Sequence, residues 1–396
     1  MIPTLRRAFN VAFTEERYAA THRRLEELLG CEIHFRMCET PVFLPMDLRD
    51  EMVRCAREIL QELATPEQLA FSREAIPKGL DVPGEGPHPF CAQVDFAVAD
   101  AGGLLVPRLI ELQAFPSLYG FQFVQALEQR RDVPGGESLS FLLSGLTEDG
   151  YQRVMADALT NGHPVDNVVL LDLDPPTQKT YPDFAATEKL WGIRAVCPTQ
   201  VEKRGRQLWY DRDGRPTRIL RIYNRVIFDE LLGKKIALPF SFTEPLDVEW
   251  AGHPNWYFRW SKHSLPRLTH PAVPEAHFLS DLDRWPDDLG NWVLKPLFSF
   301  AGSGVKVDVA ASDLDAIEPS RRREFLLMRK VAYAEAVVSP YGGGSKVEVR
   351  VMFVWKDGKP LPVTTLARLS QGKMMGVAFN KDKKWVGSST SLWPAR

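Results

Sequence analysis

Residues 292–307 read Trp292-Val293-Leu294-Lys295-Pro296-Leu297-Phe298-Ser299-Phe300-Ala301-Gly302-Ser303-Gly304-Val305-Lys306-Val307. Apolar residues flank a run of small ones, which predicts a strand, a short loop and a second strand, with Lys295 at the end of the first. Glycine and serine let backbone N–H groups approach phosphate oxygens closely, and Lys295 supplies a point charge to the same oxygens. Taken alone, such a segment is more often a plain hairpin turn than a phosphate site. As a phosphate cradle, its covering residues are Ser299, Ala301, Gly302, Ser303 and Gly304.

Toward the C-terminus, charges recur where strands and helix starts are expected. Ser261-Lys262-His263-Ser264-Leu265-Pro266-Arg267-Leu268 predicts a helix start carrying Lys262, so two lysines on separate elements can converge on one triphosphate. Phe325 to Val331 predicts a strand, and the backbone of Met328-Arg329-Lys330-Val331 can pair with the edge of an adenine. In the strand Val347 to Trp355, Glu348 and Arg350 share one face, because side chains i and i+2 point the same way. Ala367-Arg368-Leu369 opens another strand, and the Arg368 guanidinium suits a transferring phosphoryl group. Singly, each of these residues reads as a solvated side chain or a cross-strand ion pair. Their order along the chain is what favours the nucleotide reading.

Toward the N-terminus, Ala92 to Val98 and Leu104 to Leu112 predict two strands around the turn Ala101-Gly102-Gly103, with Asp95 and Glu111 able to meet across them. The oxygens of Asp95, Glu111 and Gln113 are of the hard kind that magnesium takes together with phosphate oxygens and water.

Between these ends, Glu15 to about Gln68 has helical periodicity, and Pro77 to Pro89 is a loop. Asn167-Val168-Val169-Leu170-Leu171-Asp172, followed by a helix and Ile193 to Val196, starts a βαβ unit. Lys203 to Arg215 predicts a polar hairpin and Ile219 to Ile222 a strand. The expected organisation is residues 1–150 as helices plus the acidic hairpin, 151–238 as a βαβ substrate module, and 239–396 as the nucleotide-binding part.

Composition excludes several classes. The 396 residues are 44% hydrophobic and 25% charged, with a formal net charge of -2, so no global field draws nucleic acid or an anionic membrane surface. The five cysteines have no CxxC spacing, which argues against a disulfide framework or a zinc site. No stretch has the apolar length of a membrane span, and the expectation is a soluble cytoplasmic protein, monomeric or homodimeric. The chain has no GxSxG elbow, no GxxxxGK[ST] loop and no HxxxH pair.

The run Trp292 to Val305, preceded by Lys262 and followed by Glu348, Arg350, Arg368 and Asn380, resembles the nucleotide-binding half of an ATP-grasp enzyme. With Asp95 and Glu111-Leu112-Gln113 lying upstream instead of downstream, the order resembles the circularly permuted ATP-grasp synthetase domain of glutathionylspermidine synthase, over about Cys91 to Arg396. The resemblance implies an α+β ATP-grasp fold with a Rossmann-like βαβ substrate module and an N-terminal helical segment. It implies a carboxylate–amine ligase using ATP and Mg²⁺ through an acyl phosphate, with a small-molecule or peptide carboxylate and an amine as substrates. Lys262 and Lys295 would hold the α and β phosphates, Met328, Lys330 and Val331 the adenine, Asp95, Glu111 and Gln113 the magnesium, and Arg350 and Arg368 the reacting group. Two departures stand out: Gln113 where the family has an asparagine, and Gln93 where it has an arginine. The other readings are an ATP-grasp kinase of a small hydroxylated molecule and a nucleotide-binding protein without turnover.

Overall fold

Residues 1–228, 231, 236–298, 304–372, 375, 380 and 382–395 are described in a computed structural model. Helices α1 (Pro3–Ala12), α2 (Glu15–Leu29) and α3 (Met46–Leu63) open the chain. α2 starts where the Thr14 hydroxyl accepts from the Arg17 N–H, with Glu15 and Glu16 on the positive end of the helix dipole. α3 turns Met52, Ile59, Leu60 and Leu63 inward at helical spacing. Strands β1 (Cys91–Ala101) and β2 (Leu104–Gln113) form the expected antiparallel hairpin, followed by α4 (Tyr119–Arg131).

The βαβ region supplies β3 (Val168–Leu171), α5 (Tyr181–Trp191), β4 (Arg194–Val196), β5 (Arg221–Asn224) and β6 (Glu249–Ala251). These strands run parallel in the order β6-β5-β3-β4. The uninterrupted apolar run of β3 is buried throughout, as a parallel strand covered on both faces requires. Next come β7 (Ala276–Phe278), β8 (Trp292–Pro296) and β9 (Phe325–Arg329), an antiparallel sheet in the order β7-β9-β8. Further along come β10 (Gly344–Lys356), β11 (Lys359–Ser370) and β12 (Gly387–Ser389), and the strand Ser391–Pro394 follows in a separate small sheet.

The largest sheet joins the two ends of the chain. Its order is β12-β11-β10-β1-β2, with the short strand Val337–Val338 paired onto β10. On one face Val94, Phe96 and Val98 of β1 meet the main core with Val349, Val351 and Phe353 of β10, and the alternate positions carry Gln93, Asp95, Glu348 and Arg350. Burying that apolar face holds polar groups from distant segments in one register.

Several expectations need correction. Ala367-Arg368-Leu369 does not open a strand: β11 begins at Lys359, directly after the turn at Asp357 and Gly358, and Arg368 lies near its far end. The ladder between β10 and β11 shifts register between Met352 and Phe353, which accommodates Pro360 and Pro362 inside a strand. Lys203 to Arg215 is part of a three-stranded sheet, Glu202–Arg204, Gln207–Arg212 and Arg215–Ile219, and the chain breaks at Leu220 before β5. The ladder partner of β8 is β9, and the returning Lys306 touches Leu294 through a single bridge. The five cysteines are free. Among the described residues, no helix is long and apolar enough to cross a membrane.

Candidate functional site

Register sets Arg350 of β10 opposite Asp95 of β1, and Asp95 opposite Glu111 of β2. In the neighbouring rows Gln93 faces Gln113, and Glu348 faces Arg368 of β11. One face of the sheet thus collects polar groups from four strands.

Asp95 is 1% exposed. Arg350 donates to both its oxygens, Nε to Oδ1 at 2.6 Å and Nη2 to Oδ2 at 2.7 Å, and Arg368 Nη2 donates to Oδ2 as well. Burial, the largest single influence, pushes the Asp95 carboxyl up, but the two guanidiniums together outweigh it and hold it below the usual carboxylate range. Arg350 Nη1 also donates to Gln93 Oε1 at 2.7 Å. The Gln113 amide packs on the same group: its nitrogen donates to Gln93 Oε1 at 2.6 Å, and turned over, its oxygen would face Arg350 Nη1 and Nη2 at 3.0 and 3.2 Å but also meet the Gln93 oxygen at 2.6 Å. Glu348 accepts from the Tyr333 hydroxyl and lies 3.2 Å from Arg368. Burial raises its pKa, against the pull of Arg368. Arg368 is held charged by Glu348 and Asp95 although burial opposes it, and its side chain stays 36% exposed.

The lysines reach this face from the other sheet. Where the β1–β2 ladder passes from Asp95–Glu111 to Phe96–Leu109, Ile110 is left without a partner, and its carbonyl accepts from Lys295 Nζ at 2.9 Å. A bulge that frees a backbone group beside charged residues is a common construction at active sites. Lys295 Nζ also meets Met328 Sδ at 3.3 Å. Burial and the nearby Lys262 lower the Lys295 pKa, with Glu111 and Glu348 opposing. Lys262 starts the 3-10 turn Lys262–Arg267, capped by the Ser261 hydroxyl. Its ammonium stands 3.5 Å from Glu111 Oε1 and donates to Leu297 O at 3.4 Å. The Ala114 N–H donating to Trp260 O at 3.0 Å ties the end of β2 to this segment.

Asp95, Glu111, Gln113, Arg350, Arg368, Lys262 and Lys295 therefore lie in one connected cluster. Gly304 has φ +73 and packs on Pro296, with Cγ 2.8 Å from where a Cβ would sit. Met328 is buried, while Lys330 N–H donates to Asn291 O and its Nζ points to Gly290 O. Val331 lies two residues past the end of β9 and is half-buried. Ser299, Ala301, Gly302 and Ser303 lie outside the described residues. Tyr333 and the Ile110 carbonyl were not legible in the sequence: Tyr333 sits in an irregular segment bridged to Ala99, and nothing in Leu109-Ile110-Glu111 announces a bulge.

The cations Lys262, Lys295, Arg350 and Arg368 outnumber the carboxylates Asp95, Glu111 and Glu348. Such a surface suits a polyphosphate. As placed, the donors do not fit a magnesium ion. Both Asp95 oxygens are held by guanidiniums, Gln113 lies against Arg350, and Glu111, with its side chain 34% exposed, stands 3.5 Å from the Lys262 ammonium. Among the described residues no group of three or more His, Cys, Asp or Glu side chains is placed to hold a metal.

No protein-family model matches this chain, and no curated protein matches it in sequence. Solved structures match it in fold. A glutathione synthetase-like effector (GSS30) from Globodera pallida, determined in apo form, has a TM-score of 0.60 over 96% of this chain and 96% of its own, at 12% sequence identity. The chain thus has a mixed α/β fold similar to that glutathione synthetase-like structure along nearly its whole length.

Proposed function

We propose that this chain is an ATP-dependent carboxylate–amine ligase with a circularly permuted ATP-grasp fold, similar in reaction to glutathionylspermidine synthase. The observation that carries the reading is the meeting of Glu111 and the Ile110 carbonyl on β2 with Lys262 and Lys295, the latter 185 residues beyond Ile110. ATP would supply the phosphoryl group that activates a carboxylate as an acyl phosphate. Lys262 and Lys295 would bind the phosphates by charge, displacing their present contacts to Glu111 and Ile110. Arg368, partly exposed and kept charged, would neutralise the group in transfer.

A cavity of about 400 Å³ lies at the carboxyl ends of β3 and β4, lined by Asp174, Tyr181, Phe184, Glu188, Cys197 and Thr199 among others. The carboxyl edge of a parallel sheet is where open α/β folds bind ligands, and Asp174 suits an amine, whereas Glu188 is paired with Arg194 at 3.3 Å. Screening ATP consumption against amino acids, small peptides and polyamines tests the reading: ADP should appear only when an acid and an amine are both present.

One observation favours a second reading, nucleotide binding without turnover. Asp95 is closed off by Arg350 and Arg368, so a carboxylate the resemblance assigns to the metal is already neutralised. ATP binding without ADP release under every substrate pair would select it.

A further inference from the structure

We propose that Arg350 is the resident cation of this site, its guanidinium filling the oxygen cage of Gln93 and Asp95 and letting the site take a polyphosphate without a divalent metal. The inference rests on the nucleotide reading above and specifies what that site requires. Three relationships carry it. First, Arg350 stands directly opposite Asp95 in the ladder, so the contact is fixed by register and by two buried strands. Second, the partners of the guanidinium are oxygens, both of Asp95 and Oε1 of Gln93, and that Gln93 oxygen also accepts from the Gln113 amide at 2.6 Å. Magnesium demands near-octahedral oxygens and retains several waters, whereas a planar five-donor guanidinium matches a carboxylate edge with a flanking amide oxygen. Third, Gln93 is anchored by donating its own amide to Ser117 O at 2.9 Å, which leaves its oxygen turned toward Arg350. A second cation entering this cage would meet Arg350 and Arg368 across Asp95, with one carboxylate between them.

The test measures Mn²⁺ binding by electron paramagnetic resonance and ADP binding by calorimetry, in chelator and in Mg²⁺, for the full-length wild type and for Arg350→Gln. In the wild type, no tight Mn²⁺ site and an ADP affinity that differs by less than about threefold between chelator and Mg²⁺ are expected. In Arg350→Gln, a Mn²⁺ site should appear and ADP affinity should become Mg²⁺-dependent by about tenfold or more. A tight Mn²⁺ site in the wild type, or wild-type ADP binding lost on chelation, overturns the proposal, and both readouts stand even if the variant does not fold. If the wild type binds no ADP under either condition, the nucleotide reading fails, and the Mn²⁺ titration alone decides the role of Arg350.

Discussion

Arg350 and Asp95 face each other across β10 and β1, and the guanidinium of one closes on both oxygens of the other at 2.6 and 2.7 Å. The pair is buried, and Arg368 joins it from β11. Asp95→Asn leaves the buried Arg350 and the partly exposed Arg368 without their shared carboxylate, and a loss of about 3–5 kcal/mol in chemical denaturation at neutral pH is expected. The folded-state pKa of Asp95 is depressed, so its contribution is present above the unfolded value near 3.8 and disappears as pH falls through the folded one. The stability gap between wild type and Asp95→Asn should therefore be full at neutral pH and shrink in acid.

Glu348 has the opposite sign. Its folded-state pKa is raised by burial, so its contribution is present below the unfolded value near 4.5 and is lost as pH rises through the folded one. Glu348→Gln retains an acceptor for the Tyr333 hydroxyl and carries no charge. Its stability relative to wild type should improve as pH rises from about 4 toward neutral, which paired denaturation curves at the two pH values would show.

Gly304 holds a positive φ against Pro296, close to the loop that would cover phosphates. Gly304→Val introduces a Cβ where Pro296 Cγ stands 2.8 Å away and forces a left-handed backbone on a branched residue. A cost of about 1–3 kcal/mol in thermal or chemical unfolding is expected, together with weaker ATP binding.

Asp183 and Arg225 link the parallel sheet to α4. Arg225 Nη1 donates to Asp183 Oδ2 at 2.6 Å, and Asp183 accepts from the N–H groups of Leu118, Gly120 and Phe121 at 3.0 Å, which anchors the start of α4. Both residues are buried. Arg225→Met should cost about 3–5 kcal/mol by equilibrium unfolding, since a buried carboxylate loses its counter-charge and keeps only its N–H donors.

The hairpin of Asp95 and Glu111 was legible because two apolar runs flank a Gly-Gly turn, and β3, α5 and β4 because an apolar run preceded a helical one. The start of β11 was hidden by Pro360 and Pro362, which argue against a strand until the register shift at Met352 and Phe353 makes room for them. The candidate residues themselves were readable as residue types in order. Their pairing was not, because Arg350 and Asp95 are 255 residues apart and only the ladder between β10 and β1 decides that they meet. The same holds for Ile110, whose free carbonyl exists only through a bulge set by tertiary packing.

Titrating ATP into wild type, Lys295→Ala and Lys262→Ala by calorimetry addresses the phosphate grip without depending on the unidentified acid and amine. Binding with one-to-one stoichiometry in the wild type, weakened about tenfold or more in each variant while both stay folded, is the expected outcome, since a charge-assisted contact is worth about 1.5–3 kcal/mol. No ATP binding to the wild type, or equal affinity in all three proteins, would contradict a triphosphate site between β2 and the lysines of the C-terminal region.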